Sequence, residues 1–426
     1  MARVVVCGGG FAGASVAVRL AKLRHEVVLL EAGDRVGGRL RGHPVGGATW
    51  QLSPATFTLP GVLRDLFRKS GRPLDAALTI ETLPGRRHLF DDKTAWDLPM
   101  GRRSDQVDAV TALVGQDAWS PWVDAMPEAW DVLRRRMLHR VRDADFALDR
   151  TERRTLGTRR SLRRDVRKAL DDERLRRLAL DPTVLGGDDP RMVPSLVSLD
   201  HYLERNFGLW HVVGGLPALA DALERRLGER RVEVRTGLHV LDVRLDGGRV
   251  VGVETEDGPV DAEVVVWCAP TWPASLPRPA LLPAIPASRT LLRLGPDAPE
   301  VPDDVMTHGD PPMRLWRAGD DDRWAVAHQN AEDPLVALVR VGLDLRPHVV
   351  ERHDLPPTEL VRLGHWGWQW RGFATMAARP GGAHPLPGGL FMAGAHAHPG
   401  PTIEQIGLAT EAIAEHLGAV PRRPAS

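Results

Sequence analysis

The residues with the plainest chemical reading stand at the start of the chain. Gly8-x-Gly10-x-x-Gly13 follows a β-branched run, Arg3–Cys7, and opens a stretch of helical composition at 14–23. Glycines at this spacing permit a tight turn and let backbone amides approach a pyrophosphate at a helix N-terminus. A second strand-like run, Glu26–Leu30, leads into Glu31, where an acidic side chain can bind a ribose hydroxyl. A glycine turn without a ligand is the plainer reading of the glycines alone. Strand, turn, helix and acid together carry the dinucleotide reading. NAD and FAD both use such a unit, and these residues do not separate them.

Asp34-Arg35-Val36-Gly37-Gly38-Arg39 follows at once. A glycine pair flanked by arginines offers amides and guanidinium groups to a second stretch of the same cofactor. An ordinary turn with solvated arginines fits the same six residues.

Residues 31–39 resemble the segment that follows the first βαβ unit in flavin amine oxidases and phytoene desaturases. The far end agrees. Residues 389–403, Gly-Leu-Phe-Met-Ala-Gly-Ala-His-Ala-His-Pro-Gly-Pro-Thr-Ile, resemble the closing flavin segment of bacterial-type phytoene desaturases, in which Gly-Ala and then His-Pro-Gly lead into the last helix. Amine oxidases usually carry an acidic residue where this chain has Ala395, which tilts the resemblance toward the desaturase branch. A middle stretch, from Tyr202 to Trp210 and then Gly214-Gly215-Leu216, is similar to the segment by which these families re-enter the FAD domain. The resemblance implies FAD as cofactor, held by Gly8, Gly10, Phe11, Ala12, Gly13, Glu31, Ala32, Gly38, Arg39, Val240, Gly394, Ala395, Thr402 and Ile403.

Two departures accompany it. Phytoene desaturases usually show an acidic residue and then Gly-Pro-Thr after the arginine-glycine segment, whereas this chain has Gln51-Leu52-Ser53-Pro54-Ala55. Val213 takes the place of a proline before the middle glycine pair. The cofactor reading survives these changes; the substrate is left open.

Candidate catalytic residues come from two places. His396 and His398 lie in the turn before the closing helix, and His398 matches the family better; either would position the flavin ring or exchange a proton near neutral pH. A helix-entry histidine bonded to backbone fits them as well. No further ligand set accompanies the pair, so no metal site is expected. His365-Trp366-Gly367-Trp368-Gln369-Trp370 offers indoles, with Trp368 the candidate to stand over the flavin or line a substrate slot. The alternation of the three tryptophans equally fits one buried face of a strand.

The elements that must position these groups read as an α/β fold. A Rossmann-like FAD-binding domain is assembled discontinuously from 1–75, 206–270 and 380–420, with a mixed α+β substrate domain and helical cap from 76–205 and 271–379. Helical stretches are expected at 106–114 and 130–142. Strands are expected at 231–235, 240–245, 249–255, 262–267, 324–328, 335–341 and 390–393, and a final helix at 402–417.

Composition limits the function. The chain has 426 residues, 43% hydrophobic and 26% charged, with zero formal net charge, which argues for a globular protein of more than one compact unit and against a general nucleic-acid binder. Cys7 and Cys268 sit in apolar runs and read as core residues. No secretory leader pattern and no apolar run of spanning length is seen, so a cytoplasmic protein is expected. Arginines crowd 134–177. Solvated helix faces explain them, and a peripheral membrane face is the sharper reading, weakened by interspersed acids such as Asp171-Asp172-Glu173.

The expected function is an FAD-dependent oxidoreductase, a desaturase or dehydrogenase that removes hydride from an apolar, isoprenoid-like molecule, with oxygen or a quinone as electron acceptor. Oxidation of a C–N bond in the manner of amine oxidases is one alternative. The single tyrosine and four lysines, none in the closing segments, count against its usual tyrosine-rich cage and lysine. A flavin-binding carrier or assembly partner without turnover is another, kept open by the altered loop at 51–55.

Overall fold

The computed structural model describes residues 2–141, 147–320, 322–329, 332–381 and 386–420. Its organising element is a five-stranded sheet in the order Glu233–Arg235, Glu26–Leu30, Arg3–Cys7, Val264–Trp267 and Leu390–Met392, every neighbour parallel. The strands come from the beginning, middle and end of the chain. They are nearly continuous apolar runs because both faces are covered. Val4, Val6, Val27, Leu29, Val264 and Val266 pack on the side of helices Phe11–Lys22, Gly215–Glu229 and Ile403–Leu417. Val5, Cys7, Val28, Leu30, Val265 and Trp267 point the other way, into a core shared with Val243, Val250 and Val253 of a three-stranded antiparallel sheet. Alternate residues of one run thus serve two layers.

A seven-stranded sheet forms the second layer system, in the order Val349–Leu355, Ser288–Leu294, Arg323–His328, Met313–Arg317, Asp304–His308, Gly85–Phe90 and Ala95–Pro99. All pairs are antiparallel except Asp304–His308 with Gly85–Phe90. Helices from Arg103–Val114 to Leu199–Phe207 build a separate apolar core, which also takes in Met376 and Leu408. The closing helix therefore touches both the dinucleotide sheet and the cap.

The strands at 233–235, 240–246, 249–255, 264–267, 323–328 and 390–392 lie where the sequence places them to within two end residues, those expected at 231–235 and 262–267 each starting two residues late. Three expectations need correction. Of residues 335–341, expected as a strand, all but the C-cap Val341 belong to helix Pro334–Arg340: the Asp333 side chain accepts from the Leu335 amide, Pro334 opens the first turn, and Leu335 and Leu338 bury one helical face. Within the stretch read as helical, strands occur at Ile80–Leu83, Gly85–Phe90 and Ala95–Pro99. Arg86 and His88 are buried there on charged and hydrogen-bonded partners, so an inward-facing row looked polar in sequence. The helix expected over 130–142 is Pro127–Leu133 running into one π turn, Arg134–Leu138, and Arg142 lies outside the described residues.

Part of the basic stretch is tied up in ion pairs. Arg134 and Arg135 meet Asp131, Arg136 meets Glu152, Arg160 meets Asp165 and Arg177 meets Asp91. Among the described residues no helix is long and apolar enough to cross a membrane.

Candidate cofactor and substrate site

The glycine turn is built by close approach. Gly8, at φ +95°, sits against the backbone of Ala269, and a Cβ on Gly13 would overlap the Gly8 carbonyl, so the helix Phe11–Lys22 begins directly on the turn. Gly10, its N-cap, has no side chain to fill the space before the first amides. Glu31 closes the same loop from the second strand. Its two oxygens accept from the amides of Gly9, at 2.5 Å, and Gly33, at 2.8 Å, which fixes the carboxylate at the cavity wall.

These groups border a cavity of about 440 Å³. Gly8, Gly10, Phe11, Ala12, Glu31, Gly38, Arg39, Gly394, Ala395, Thr402 and Ile403 all line it. Gly13 lies beneath the turn and supports it without facing the space. Ala32 and Val240 are not among the lining residues; Val240 begins the strand Val240–Asp246, two residues beyond the Leu238 amide that donates to the Glu31 carbonyl. The wall also includes Trp366 and the loop residues Ser53 and Pro54, which the sequence had drawn attention to, and Thr56, Cys268 and Arg314, which sequence reasoning missed as site residues. Ser53 and Pro54 belong to the loop that departs from the family pattern. Gln51, at its start, receives the Leu216 amide and ties that loop to the middle glycine pair.

The electrostatics suit an anion. Arg39 is an exposed side chain that opens on the cavity, the surrounding protein lowers its pKa by desolvation, and among the described residues no carboxylate or hydrogen-bond acceptor meets its guanidinium. Arg289 nearby has a pKa lowered to about 10, by burial first and then by Arg39 and Arg314. His365 is pushed down to about 2 by burial, then by Arg39 and Arg289, and is therefore neutral. A pyrophosphate would relieve this uncompensated positive potential. The glycine cradle, the Glu31 carboxylate at the cavity wall and the unpaired arginine together fit a dinucleotide.

The closing turn is held by aromatic contacts. Trp366 stacks on His396 at 5.7 Å between ring centroids and meets Trp368 edge-on at 5.2 Å. Trp368 Nε1 donates to the His396 carbonyl at 2.6 Å. Burial pushes the His396 imidazole down to about 4, so it is neutral at pH 7. His396 borders the cofactor cavity, whereas His398 does not. The His398 ring is buried, with Nε2 3.0 Å from the Met137 carbonyl, and faces the helical cap. Of the two histidines the sequence offered, the turn therefore brings the other one to the site.

A second cavity, of about 490 Å³, shares Thr56, Arg314, Ala395, Pro401 and Thr402 with the first. Trp130, Leu133, Leu203, Trp368, Met376 and Leu408 are among its apolar walls. The three tryptophans of 366–370 do not share one strand face: Trp366 borders the first cavity, Trp368 and Trp370 the second. One side of the second cavity is polar. Arg86 pairs with Glu204 at 2.9 Å and Asp304 at 3.0 Å, and Arg314 holds both Asp304 oxygens while donating to the Thr56 hydroxyl.

A discontinuous parallel sheet with a glycine turn, a basic anion seat and an adjoining apolar cavity defines a dinucleotide-binding protein with a separate substrate compartment. The chain belongs to the flavin containing amine oxidoreductase family, whose model matches residues 11–298, and its cofactor is FAD. It is 30% identical over 280 residues to a 4,4'-diapolycopene oxygenase of a Methylomonas species, covering 62% of this chain and 55% of that protein. It is 30% identical over 279 residues to a zeta-carotene-forming phytoene desaturase of Myxococcus xanthus, covering 62% of this chain and 53% of that one. The chain thus spans about half the length of the curated relatives it matches. In fold it is similar to an oxidoreductase from Methanosarcina mazei, with a TM-score of 0.64 and 16% identity over 97% of this chain and 100% of that one.

Proposed function

We propose that the protein is an FAD-dependent oxidoreductase that removes hydride from a largely apolar, isoprenoid-like substrate lodged in the second cavity. The observation that carries this is the shared wall: five residues border both spaces, so a molecule held between Leu203, Met376 and Trp368 lies beside the cofactor seat. FAD bound there supplies the hydride acceptor, and the protein's part is to orient and to exclude water. Gly8, Gly10, Gly38 and Arg39 are assigned to the pyrophosphate and Glu31 to the ribose. Ala395, Thr402 and Ile403 hold the inner end of the cavity. Ala32 and Val240 are assigned to its outer rim by their nearness to Glu31. Trp368 is a positioning residue that fixes the His396 turn through its indole N–H, and it faces the substrate. His398 anchors the turn to the cap. The division into an FAD-binding unit from 1–75, 206–270 and 380–420 and a substrate unit from the rest is supported by the strand order of the two large sheets. Oxygen or a quinone is the proposed acceptor.

A second reading, oxidation of an amine, is favoured by one feature: Asp200, Glu204 and Glu404 all border the second cavity. Separating the readings begins with the visible spectrum of the purified protein and identification of the released cofactor. Candidate isoprenoid hydrocarbons and amines are then tested anaerobically for bleaching of the flavin. Bleaching by hydrocarbons alone supports the first reading, and bleaching by amines with release of ammonia supports the second. A flavin that no substrate reduces, in a protein that binds a partner tightly, supports a carrier.

A further inference from the structure

The helical cap holds a further cavity, of about 280 Å³, to which neither the cofactor nor the substrate has been assigned. Trp122, Met126 and Leu156 are among its apolar walls, and Lys168 and the Arg160–Asp165 ion pair, at 3.3 Å, border it too. Leu196 and Leu199 face both this space and the second cavity, so a single layer of side chains separates the two. Helix Pro127–Leu133 divides in the same way: Ala129 borders the cap cavity, Trp130 and Leu133 the second. The two leucines are held in place. They are 7% and 3% exposed and belong to the core of the cap. Leu196 lies in the single turn Ser195–Ser198, where the Ser195 amide donates to the Arg160 carbonyl at 3.0 Å and the Ser198 hydroxyl to the Ser195 carbonyl at 2.6 Å. A close-packed side chain fixed by its backbone resists displacement by a ligand, whereas its removal leaves a space that the surroundings refill only in part.

We propose that Leu196 and Leu199 form a partition that sets the length of the substrate: the native protein takes a short isoprenoid that ends at these two side chains, and a longer one is admitted only when the partition is cut back and the cap cavity becomes a compartment for its tail. The inference rests on the second cavity being the substrate site. Discrimination of this kind needs no polar contact. A chain that ends at the wall, along Trp130, Leu133, Met376 and Leu408, buries its apolar surface in full. One that is too long must fold back or leave its end outside, and a single methylene that does not fit a closed apolar pocket is worth about tenfold or more in discrimination. Two leucines are suited to the task, because they close the space by shape alone and truncating either joins two cavities that already exist.

The test uses the full chain loaded with FAD and three isoprenoid hydrocarbons of increasing length: farnesene, squalene and phytoene. Dissociation constants are read from perturbation of the flavin spectrum for the native protein, for Leu196→Ala and Leu199→Ala, and for the milder cuts Leu196→Val and Leu199→Val, which keep most of the packing. The native protein is expected to bind farnesene about tenfold or more tightly than squalene or phytoene. Variants that retain flavin are expected to narrow that gap for squalene while binding farnesene no more tightly, and to lose the gain when Ala129→Phe fills the cap cavity in the same chain. Native binding of squalene as tight as that of farnesene overturns the proposal while leaving the cavity as the substrate site. So does a gap that persists in every flavin-retaining variant, or a gain that Ala129→Phe leaves intact. No spectral response to any of the three overturns the substrate-site reading itself, and this inference with it.

Discussion

At the scale of single residues the site depends on two opposite demands, absence of a side chain at the turn and presence of unpaired charge in the cavities. A methyl group at Gly13 would collide with the Gly8 carbonyl, which no rotamer can relieve. Gly13→Ala is therefore expected to lose bound flavin, seen as loss of visible absorbance from the purified protein, before it loses the cap. Asp200 makes a pH statement. Its carboxyl moves from an ordinary 3.8 to about 7 on folding, so between about pH 4 and about pH 7 the folded state holds a proton that the unfolded state has released. Its contribution to stability falls as pH rises through that window. Thermal melts of Asp200→Asn should lack that decline, so the variant gains on the native protein as pH climbs toward 7. A difference that ran the other way would mean that the carboxyl is ionised and paired.

At the scale of elements the polar ladder Glu204–Arg86–Asp304–Arg314 joins helix Leu199–Phe207 to three strands of the larger sheet. Burial works against each charge, and the opposite charges nearby restore it: Asp304 is kept below the usual carboxylate range by Arg314 and Arg86 despite complete burial. Removing one member strands another. Arg86→Met leaves Glu204 without its cation beside the substrate cavity, while Asp304 keeps Arg314. The expected loss is about 3 kcal/mol, toward the low end for a broken buried pair, measured by urea unfolding. The same ladder explains why strand Gly85–Phe90 was hidden in the sequence. Its inward residues include an arginine and a histidine, and alternation of polarity signals a strand only when the inward row is apolar. Helix Pro334–Arg340 was misread for the complementary reason, a run of valine and leucine too short for periodicity to decide, in which the Asp333 cap settled the matter.

At the scale of the whole molecule, the closing helix Ile403–Leu417 joins three parts. It packs on helix Phe11–Lys22, contributes Ile413 and Ala414 to the dinucleotide core and Leu408 to the cap core, and starts from Thr402, which borders both cavities. Its entry is secured by a capping box in which Thr402 and Gln405 exchange hydrogen bonds. A chain ending at residue 402 is expected to retain no flavin and to expose apolar surface to a hydrophobic dye, since both cores lose a wall. Retention of flavin by such a chain would show that the closing helix is dispensable for cofactor binding.

The cofactor end of this protein was legible in residues because its requirements are local: a glycine turn, an acid at the end of the next strand, and the Gly-Ala and Thr-Ile of the closing turn lie within short stretches whose backbone geometry is set by nearby chain. The substrate end was not. Arg314, Asp200, Glu404 and Arg86 stand far apart in sequence and belong to different elements, and nothing in the spacing of any one announces the others. Sequence favoured His398 over His396 by family match, yet both occupy one turn, and only the packing of Trp366 and Trp368 on one side and Met137 on the other decides that the His396 ring meets the cavity. Local backbone chemistry determined a dinucleotide seat, which resemblance read as one for FAD; the charge balance and shape of the substrate cavity arise only when distant segments pack.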